Sequence, residues 1–361
     1  MNILIAAGGT GGHLFPGIAV AQEFIRRDRG NTVAFMGSTG GVEARILPKL
    51  SFRLLTVRVK GFAGKNIFAK LASLCCLPAA LWKAGTYIRR FQADIVIGFG
   101  GYISFPAVVA AAALGIPTAV HEQNSIPGLS NRLLNRIAGR TFISYEGSMR
   151  FFRTGSTEFS GMPVRLPGPA KPAQGRSGPF CIFVCGGSQG SGEINRAVAE
   201  SLPLLQDRQK NMRFIHQSGK SDYSTMAAAY KKYGFEALVA PFIDDMFGCY
   251  RQAHLVVSRA GAATLAELAA CARAAILIPY PFAAGNHQTV NAQTFVEGGA
   301  ALTLPSKDLS GRALASMIER LVGDREKLQQ MEKRAGALAR PDAAATIVAA
   351  CYRLAARQPA G

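Results

Sequence analysis

Ile3-Leu4-Ile5-Ala6-Ala7-Gly8-Gly9-Thr10-Gly11-Gly12-His13 is an apolar strand that runs into four glycines and then into a helical pattern. A strand that ends this way presents backbone N–H groups at the positive end of a helix, where a phosphate or pyrophosphate can sit. The loop has neither the lysine nor the Ser/Thr of a Walker A loop, and its order does not fit G-x-G-x-x-G. That fingerprint also calls for an acid at the end of the second strand, and Thr32-Val33-Ala34-Phe35-Met36-Gly37-Ser38 has none. Nicotinamide chemistry is disfavoured, while the glycines exceed what a tight turn needs.

Working outward, the pattern reads strand 2–7, helix about 14–29, strand 32–36 and helix about 40–49, the alternation of a parallel sheet with helices on both faces. Ala93-Asp94-Ile95-Val96-Ile97-Gly98-Phe99-Gly100-Gly101-Tyr102 is another strand entering glycines, followed by a helix at about 105–114 and a strand ending in His121-Glu122-Gln123-Asn124. Ligands of open parallel sheets bind outside the carboxyl ends of the strands, which gathers His13, Gly100, Gly101, Tyr102, His121, Glu122 and Asn124 around one crevice.

Prolines 163, 167, 169, 172 and 179 mark 161–180 as a linker. The plan then restarts: Phe180-Cys181-Ile182-Phe183-Val184-Cys185 enters Gly186-Gly187-Ser188-Gln189-Gly190, and Gln252–Ala262 echoes Gln92–Tyr102. Two similar doubly wound domains are expected, 1–160 and 181–340, followed by a last helix within 341–361.

The 361 residues are 49% hydrophobic, enough for two cores. No apolar run reaches the ~18 residues of a membrane span and no basic stretch precedes the first strand, so a soluble cytoplasmic chain is expected. Seven cysteines without CxxC spacing suit a reducing compartment, with Cys181 and Cys185 in the core. The net charge of +19 is concentrated in residues 1–160, which carry +11. An acidic partner is implied, and a phosphorylated substrate or anionic membrane fits better than nucleic acid because exposed aromatics are not interleaved with the basic residues.

Residues 44–93 contain no acid and ten basic residues. Within them Ile67, Leu71, Leu74, Pro78 and Leu81 share one helical face, which suits a core. Phe68, Cys75, Cys76, Leu77 and Trp82 spread onto the other faces, between Lys65, Lys70, Lys83, Arg89 and Arg90. Core packing and contact with an anionic membrane both remain open on this pattern.

Two tandem domains with glycine loops resemble the GT-B arrangement of nucleotide-sugar transferases, two Rossmann-like parallel-sheet domains facing a central cleft. Gly8–His13 with Pro16-Gly17, Gly100-Gly101-Tyr102, His121-Glu122-Gln123-Asn124, Gly186–Gly190, His216-Gln217-Ser218-Gly219, Phe242-Ile243-Asp244-Asp245-Met246, Ser258-Arg259-Ala260-Gly261-Ala262 and Asn286-His287-Gln288 together resemble the MurG family. The resemblance implies an inverting transfer of N-acetylglucosamine from UDP-GlcNAc to undecaprenyl-linked lipid I, giving lipid II in peptidoglycan synthesis. It also implies a peripheral place on the cytoplasmic face of the inner membrane, and a last helix that returns to the first domain.

The same resemblance places UDP-GlcNAc on Thr10, Gly11, Gly12, Asn124, Arg165, Ser188, Ile243, Ala262, Ala263, Thr264, Leu265, Ala266, Glu267 and Gln288. Gly100, Gly101 and Tyr102 fall on the acceptor side, and Ile67, Phe68, Leu71, Leu74, Leu77, Leu81, Trp82, Lys65, Lys70 and Lys83 on the membrane. Within the donor set Ile243 meets uracil through its backbone, Glu267 the ribose, Gln288 the sugar hydroxyls and Arg165 the diphosphate. Thr264 and Glu267 also have the Thr-x-x-Glu spacing of a capping box, a purely structural alternative. The pattern is departed from at Met162, where the family has asparagine, and at Gly285, where aspartate is usual.

His13 is the candidate general base, since an imidazole titrates near neutrality; orienting its own loop is the alternative, and Glu122 is the second candidate. No His, Cys and Asp have metal-ligand spacing and no cofactor is expected, which leaves helix ends and Arg165 to meet phosphate charge. Two other readings share these features: a UDP-GlcNAc 2-epimerase, and a non-catalytic basic protein that binds RNA or membrane.

Overall fold

The computed structural model describes residues 1–57, 76–165 and 178–356. The chain forms two units, Met1–Arg165 with Arg340–Gly361, and Leu166–Ala339. Each is built on one parallel sheet.

The first unit runs β1 (Asn2–Ala6), α1 (Gly11–Arg27), β2 (Thr32–Gly37), α2 (Val42–Ile46), β3 (Arg53–Thr56), α3 (Leu77–Phe91), β4 (Ile95–Gly98), α4 (Gly101–Ala113), β5 (Thr118–Glu122), α5 (Leu129–Leu134), β6 (Arg140–Ile143) and β7 (Thr157–Phe159). Its seven strands lie in the order β3-β2-β1-β4-β5-β6-β7. Strand β1 explains why the opening stretch decides the fold. Ile3 and Ile5 enter a core under α1, while Leu4 and Ala6 enter another under α3 and α4, so a strand buried on both faces reads as an unbroken apolar run.

In the second unit the order is β8 (Phe180–Cys185), α6 (Gly192–Ser201), β9 (Met212–Gln217), α7 (Tyr223–Lys232), β10 (Glu236–Ala240), α8 (Met246–Gln252), β11 (Leu255–Ser258), α9 (Ala262–Ala270), β12 (Ala275–Leu277), α10 (His287–Glu297), β13 (Ala301–Thr303), α11 (Gly311–Val322) and α12 (Arg325–Ala337). Its sheet order is β10-β9-β8-β11-β12-β13. In both sheets the order in which strands are added reverses beside the first strand, at β1/β4 and at β8/β11. At such a switch point neighbouring loops diverge and leave a crevice at the carboxyl ends of the strands.

The last helix, α13 (Ala343–Ala356), belongs to the first unit. Ile347, Val348 and Cys351 join the core under α1, and Asn31 Nδ2 donates to Tyr352 Oη at 2.6 Å. Chain entry is tight here: Gly161, at φ +79°, packs against the Arg340 side chain so closely that a Cβ would collide with it.

Two expectations shift. Helices α1 and α4 start at Gly11 and Gly101, three or four residues earlier than their apolar periodicity implies, so the glycines are first-turn residues. The core face of α3 is Ala80, Ala84 and Ile88, whereas Pro78 is exposed and Leu81 only half-buried.

Candidate active site

In the first unit the β1–α1 and β4–α4 loops adjoin. Thr10 is the N-cap of α1 but makes no capping bond; its hydroxyl pairs with His13 Nδ1 at 3.2 Å. The N–H groups of His13 and Leu14 already bond the Thr10 carbonyl, so Gly11 and Gly12 carry the N–H groups that a helix start leaves for a ligand. The half-buried His13 ring lies over the other loop: a Cβ at Gly100 would come within 3.1 Å of its Cδ2, and one at Gly101 within 3.4 Å of its Nδ1. Both glycines have positive φ, and their missing side chains make room for the imidazole. Tyr102 next to them is exposed.

Glu122 sits at the end of β5 and is buried. Its Oε1 accepts from Asn124 N–H at 2.9 Å and Asn124 Nδ2 at 3.3 Å, and its Oε2 from Gly128 N–H at 3.1 Å and Asn131 Nδ2 at 2.9 Å. Burial raises its carboxyl above the usual range in spite of these bonds. A carboxylate so engaged anchors the loop that carries Asn124; this geometry argues against Glu122 as the second candidate base. His121 is likewise internal: Nε2–H donates to the Gly161 carbonyl at 3.0 Å, Nδ1 accepts from Gln123 at 3.1 Å, and burial lowers it to about 4. Met162 accepts the Ser144 hydroxyl through its sulfur at 3.6 Å, a weak bond. Arg165 is exposed.

In the second unit the β8–α6 loop carries the exposed Ser188. Gly190 and Gly219, both at positive φ, interlock: a Cβ on Gly190 would strike the Ser218 carbonyl and one on Gly219 the Gln189 carbonyl. A buried chain fixes that contact. His216 pairs with Tyr230 Oη at 2.9 Å and with Asn195 Oδ1 at 3.0 Å, and Asn195 Nδ2 donates to the Ser218 carbonyl at 2.8 Å. Burial lowers the His216 imidazole to about 3, which keeps it neutral.

Arg259 had no role in the sequence reading. It is buried, and its guanidinium reaches Ser191 Oγ at 2.9 Å, Glu193 at 2.7 Å, the Ile278 carbonyl at 3.2 Å and Ser306 Oγ at 3.2 Å. It therefore ties the β8–α6 loop to the segment after β12. The signal was present as an arginine directly after an apolar strand, where a charge must find partners.

Helix α9 begins at Ala262 with Gly261 as N-cap, which places Thr264 and Glu267 inside the helix and removes the capping-box alternative. The N–H groups of Ala262, Ala263 and Thr264 are the open ones at this end, because Leu265 N–H already bonds Gly261. Leu265 is buried, so its side chain serves the core. The half-buried Glu267 accepts Tyr250 Oη–H at 2.9 Å, and desolvation raises its carboxyl to about 7.

Ile243 N–H donates to Gln217 Oε1 at 2.8 Å, so its backbone meets a ligand through the carbonyl unless Gln217 is displaced. Gln288 Oε1 accepts Tyr280 N–H at 2.9 Å, which makes Nε2 the end suited to hydroxyls. Gly285 at φ +62° precedes Asn286 at φ +56°; glycine spares one of two consecutive left-handed residues its strain. Among the described residues no group of three or more His, Cys, Asp and Glu side chains is placed to hold a metal ion.

Residues 3–143 match the glycosyltransferase family 28 N-terminal domain and residues 181–347 its C-terminal domain. The chain belongs to glycosyltransferase family 28. Similar chains include a UDP-N-acetylglucosamine--N-acetylmuramyl-(pentapeptide) pyrophosphoryl-undecaprenol N-acetylglucosamine transferase of Syntrophus aciditrophicus, 45% identical over 98% of this chain and 99% of the relative. One of the same name from Myxococcus xanthus is 43% identical over 98% and 93%.

Among solved structures, Acinetobacter baumannii MurG superposes with a TM-score of 0.78 at 29% identity, covering 98% of this chain and 99% of that one. The UDP-GlcNAc 2-epimerase of Neisseria meningitidis, at 12% identity and TM-score 0.68 over 98% and 100%, shares the fold alone. Both switch points of this family 28 chain thus lie within matched domains.

Of the residues expected at the membrane, Lys65, Ile67, Phe68, Lys70, Leu71 and Leu74 lie outside the described residues. On α3, Leu77, Leu81 and Lys83 are half-buried and Trp82 is 76% exposed. Helix α5 adds a surface that the sequence reading did not single out. The inner side of α5 and of the turn after it holds asparagines, with Asn131 on Glu122 and Asn135 on Thr141, whereas Leu129 and Leu133 on the helix and Ile137 in the turn are exposed beside exposed Arg132 and Arg136. Helices α3 and α5 flank α4 on one face of the sheet. No helix among the described residues is long and apolar enough to cross a membrane.

Proposed function

We infer that the chain transfers N-acetylglucosamine from UDP-GlcNAc to the 4-hydroxyl of the N-acetylmuramyl sugar of lipid I, producing lipid II for peptidoglycan synthesis. The observation that carries this reading is near-full-length identity above 40% with relatives named for that transfer. In the mechanism the acceptor oxygen attacks the anomeric carbon from the face opposite UDP, the bond to the diphosphate oxygen breaks, and UDP leaves with the electron pair. His13 Nε2 takes the hydroxyl proton, which requires the ring hydrogen on Nδ1, donated to Thr10 Oγ1.

UDP is held by the second unit: the Ser188 loop and the start of α9 with Ala262, Ala263 and Thr264 on the diphosphate, Glu267 on the ribose, the Ile243 carbonyl on uracil. Gln288 meets the sugar hydroxyls and Arg165 adds charge at the diphosphate. Thr10, Gly11, Gly12 and Asn124 serve the donor's sugar, and Gly100, Gly101 and Tyr102 the lipid-linked diphosphate. Geometry and leaving-group stabilisation supply most of the rate.

The enzyme works as a peripheral protein on the cytoplasmic face of the inner membrane, meeting anionic lipid through Trp82 and the outward side of α5. Apolar side chains ringed by arginine are the composition of an interfacial surface. Incubation of the purified protein with UDP-GlcNAc and a lipid I analogue should yield lipid II and UDP in equal amounts. UDP-ManNAc formed from UDP-GlcNAc alone would instead establish the epimerase. Trp82→Ser with Leu133→Ser should release the protein from anionic vesicles, and undiminished co-sedimentation would refute that surface.

A further inference from the structure

The glycines of the first loop do more than leave N–H groups open. Glu43, on α2, is fully buried beneath them. Its Oε2 accepts Gly9 N–H at 3.0 Å, and its Oε1 accepts Ser38 N–H at 2.8 Å and Ser38 Oγ–H at 2.6 Å. Gly8, Gly37 and Gly41 pack around the side chain so closely that a Cβ on any of them would run into it. Burial favours protonation, but the bonds from Ser38 and Gly9 prevail and hold the carboxyl below its usual range.

The anion at Gly9 is thus the protein's own. An N–H that donates to a buried carboxylate is not offered to a substrate, so the ligand-binding part of this loop begins at Gly11 and Gly12, next to His13. The same three bonds join the β1–α1 loop to the β2–α2 turn, which fixes the position from which α1 starts.

We propose that Glu43 is a positioning residue for the transfer: its carboxylate sets the β1–α1 loop so that the His13 imidazole meets the acceptor's hydroxyl in register with the donor sugar held at the Gly11 and Gly12 N–H groups. This rests on the transferase reading above. An amide cannot replace it, because Glu43→Gln turns an N–H toward donors that need an acceptor.

In Glu43→Gln the KM for a lipid I analogue should rise at least tenfold and kcat should fall at least tenfold, while UDP binding, measured by calorimetry, stays within twofold of wild type. Ser38→Ala, which removes only the 2.6 Å bond, should raise the same KM about threefold and leave UDP binding unchanged. Simple loss of folded protein lowers kcat and leaves KM alone, so the KM is the diagnostic readout.

Wild-type acceptor KM in both variants would overturn the proposal. So would a lower KM, which would mean that the carboxylate acts only by repelling an anionic substrate. If Glu43→Gln does not fold, an unchanged KM in Ser38→Ala overturns it alone. Absence of lipid II formation by the wild-type chain would refute the transferase reading instead, and is distinguished by that control.

Discussion

Glu267 offers the most quantitative test of the donor site. Desolvation raises its carboxyl to about 7, although the Tyr250 hydroxyl bond works the other way. If it accepts the ribose hydroxyls, the ionised form is the one that binds, and UDP-GlcNAc affinity follows its titration. The ionised fraction falls from about nine-tenths at pH 8 to just under one-tenth at pH 6, so Kd should rise about tenfold across that range. UDP-GlcNAc is the right probe because its bridging diphosphate does not titrate there.

Binding at pH 7 should also release about half a proton, measurable by calorimetry in buffers of different ionisation enthalpy. The stability of the unliganded protein runs in the opposite sense: a carboxyl raised from 4.5 to about 7 on folding gains stability as pH falls through about 7 towards 4.5. Ligand-induced stabilisation should therefore shrink on acidification. Glu267→Gln should flatten the pH dependence and weaken binding about tenfold, or about 1.4 kcal/mol, the difference between charged and neutral acceptors. A wild-type Kd that is constant from pH 6 to 8, with Glu267→Gln within twofold, would refute the ribose role.

Three further outcomes follow from the same geometry. His13→Ala should cut kcat by about a hundredfold or more while UDP affinity is retained, as steady-state assays and calorimetry would show. Arg259→Lys keeps the charge but cannot span Ser191, Glu193, Ser306 and the Ile278 and Pro279 carbonyls at once, so the donor KM should rise about tenfold with an unchanged circular dichroism spectrum. Glu122→Gln should lower the melting temperature, by removing an acceptor from the Asn124 loop, and leave the acid limb of the pH–rate profile where it was; a displaced limb would restore Glu122 as a base.

Parallel strands buried on both faces announce themselves as continuous apolar runs, and for this reason Ile3–Ala6, Ile95–Gly98, Cys181–Cys185 and Leu255–Ser258 were legible. Helix starts were not. Glycine disfavours helix interiors, yet first-turn residues give up no intrahelical N–H bond, so α1 and α4 begin inside glycine runs that read as loop.

The site splits along the same line. Ser188, His13 and Gly100 stand out because they occur where strands end. Thr264-x-x-Glu267 fits a cap and a ligand contact equally until the first residue of α9 is known. Glu43 and Arg259 give no periodic signal, since what makes each matter is a partner loop folded over it from a distant part of the chain.

The two glycine loops sit at equivalent switch points but tolerate a side chain differently, and that difference tests which of them holds the nucleotide. Gly9 has φ +85° and open space around its missing Cβ, so Gly9→Ala costs only left-handed strain, about 1–2 kcal/mol. Gly190 has φ +79° and faces the Ser218 carbonyl, which is itself held by Asn195, so Gly190→Ala must push the Ser188 loop away from its support.

With the diphosphate on the second loop, Gly190→Ala should abolish calorimetric UDP binding, whereas Gly9→Ala should leave it within twofold and slow transfer only modestly. The opposite ranking would move the nucleotide to the first unit.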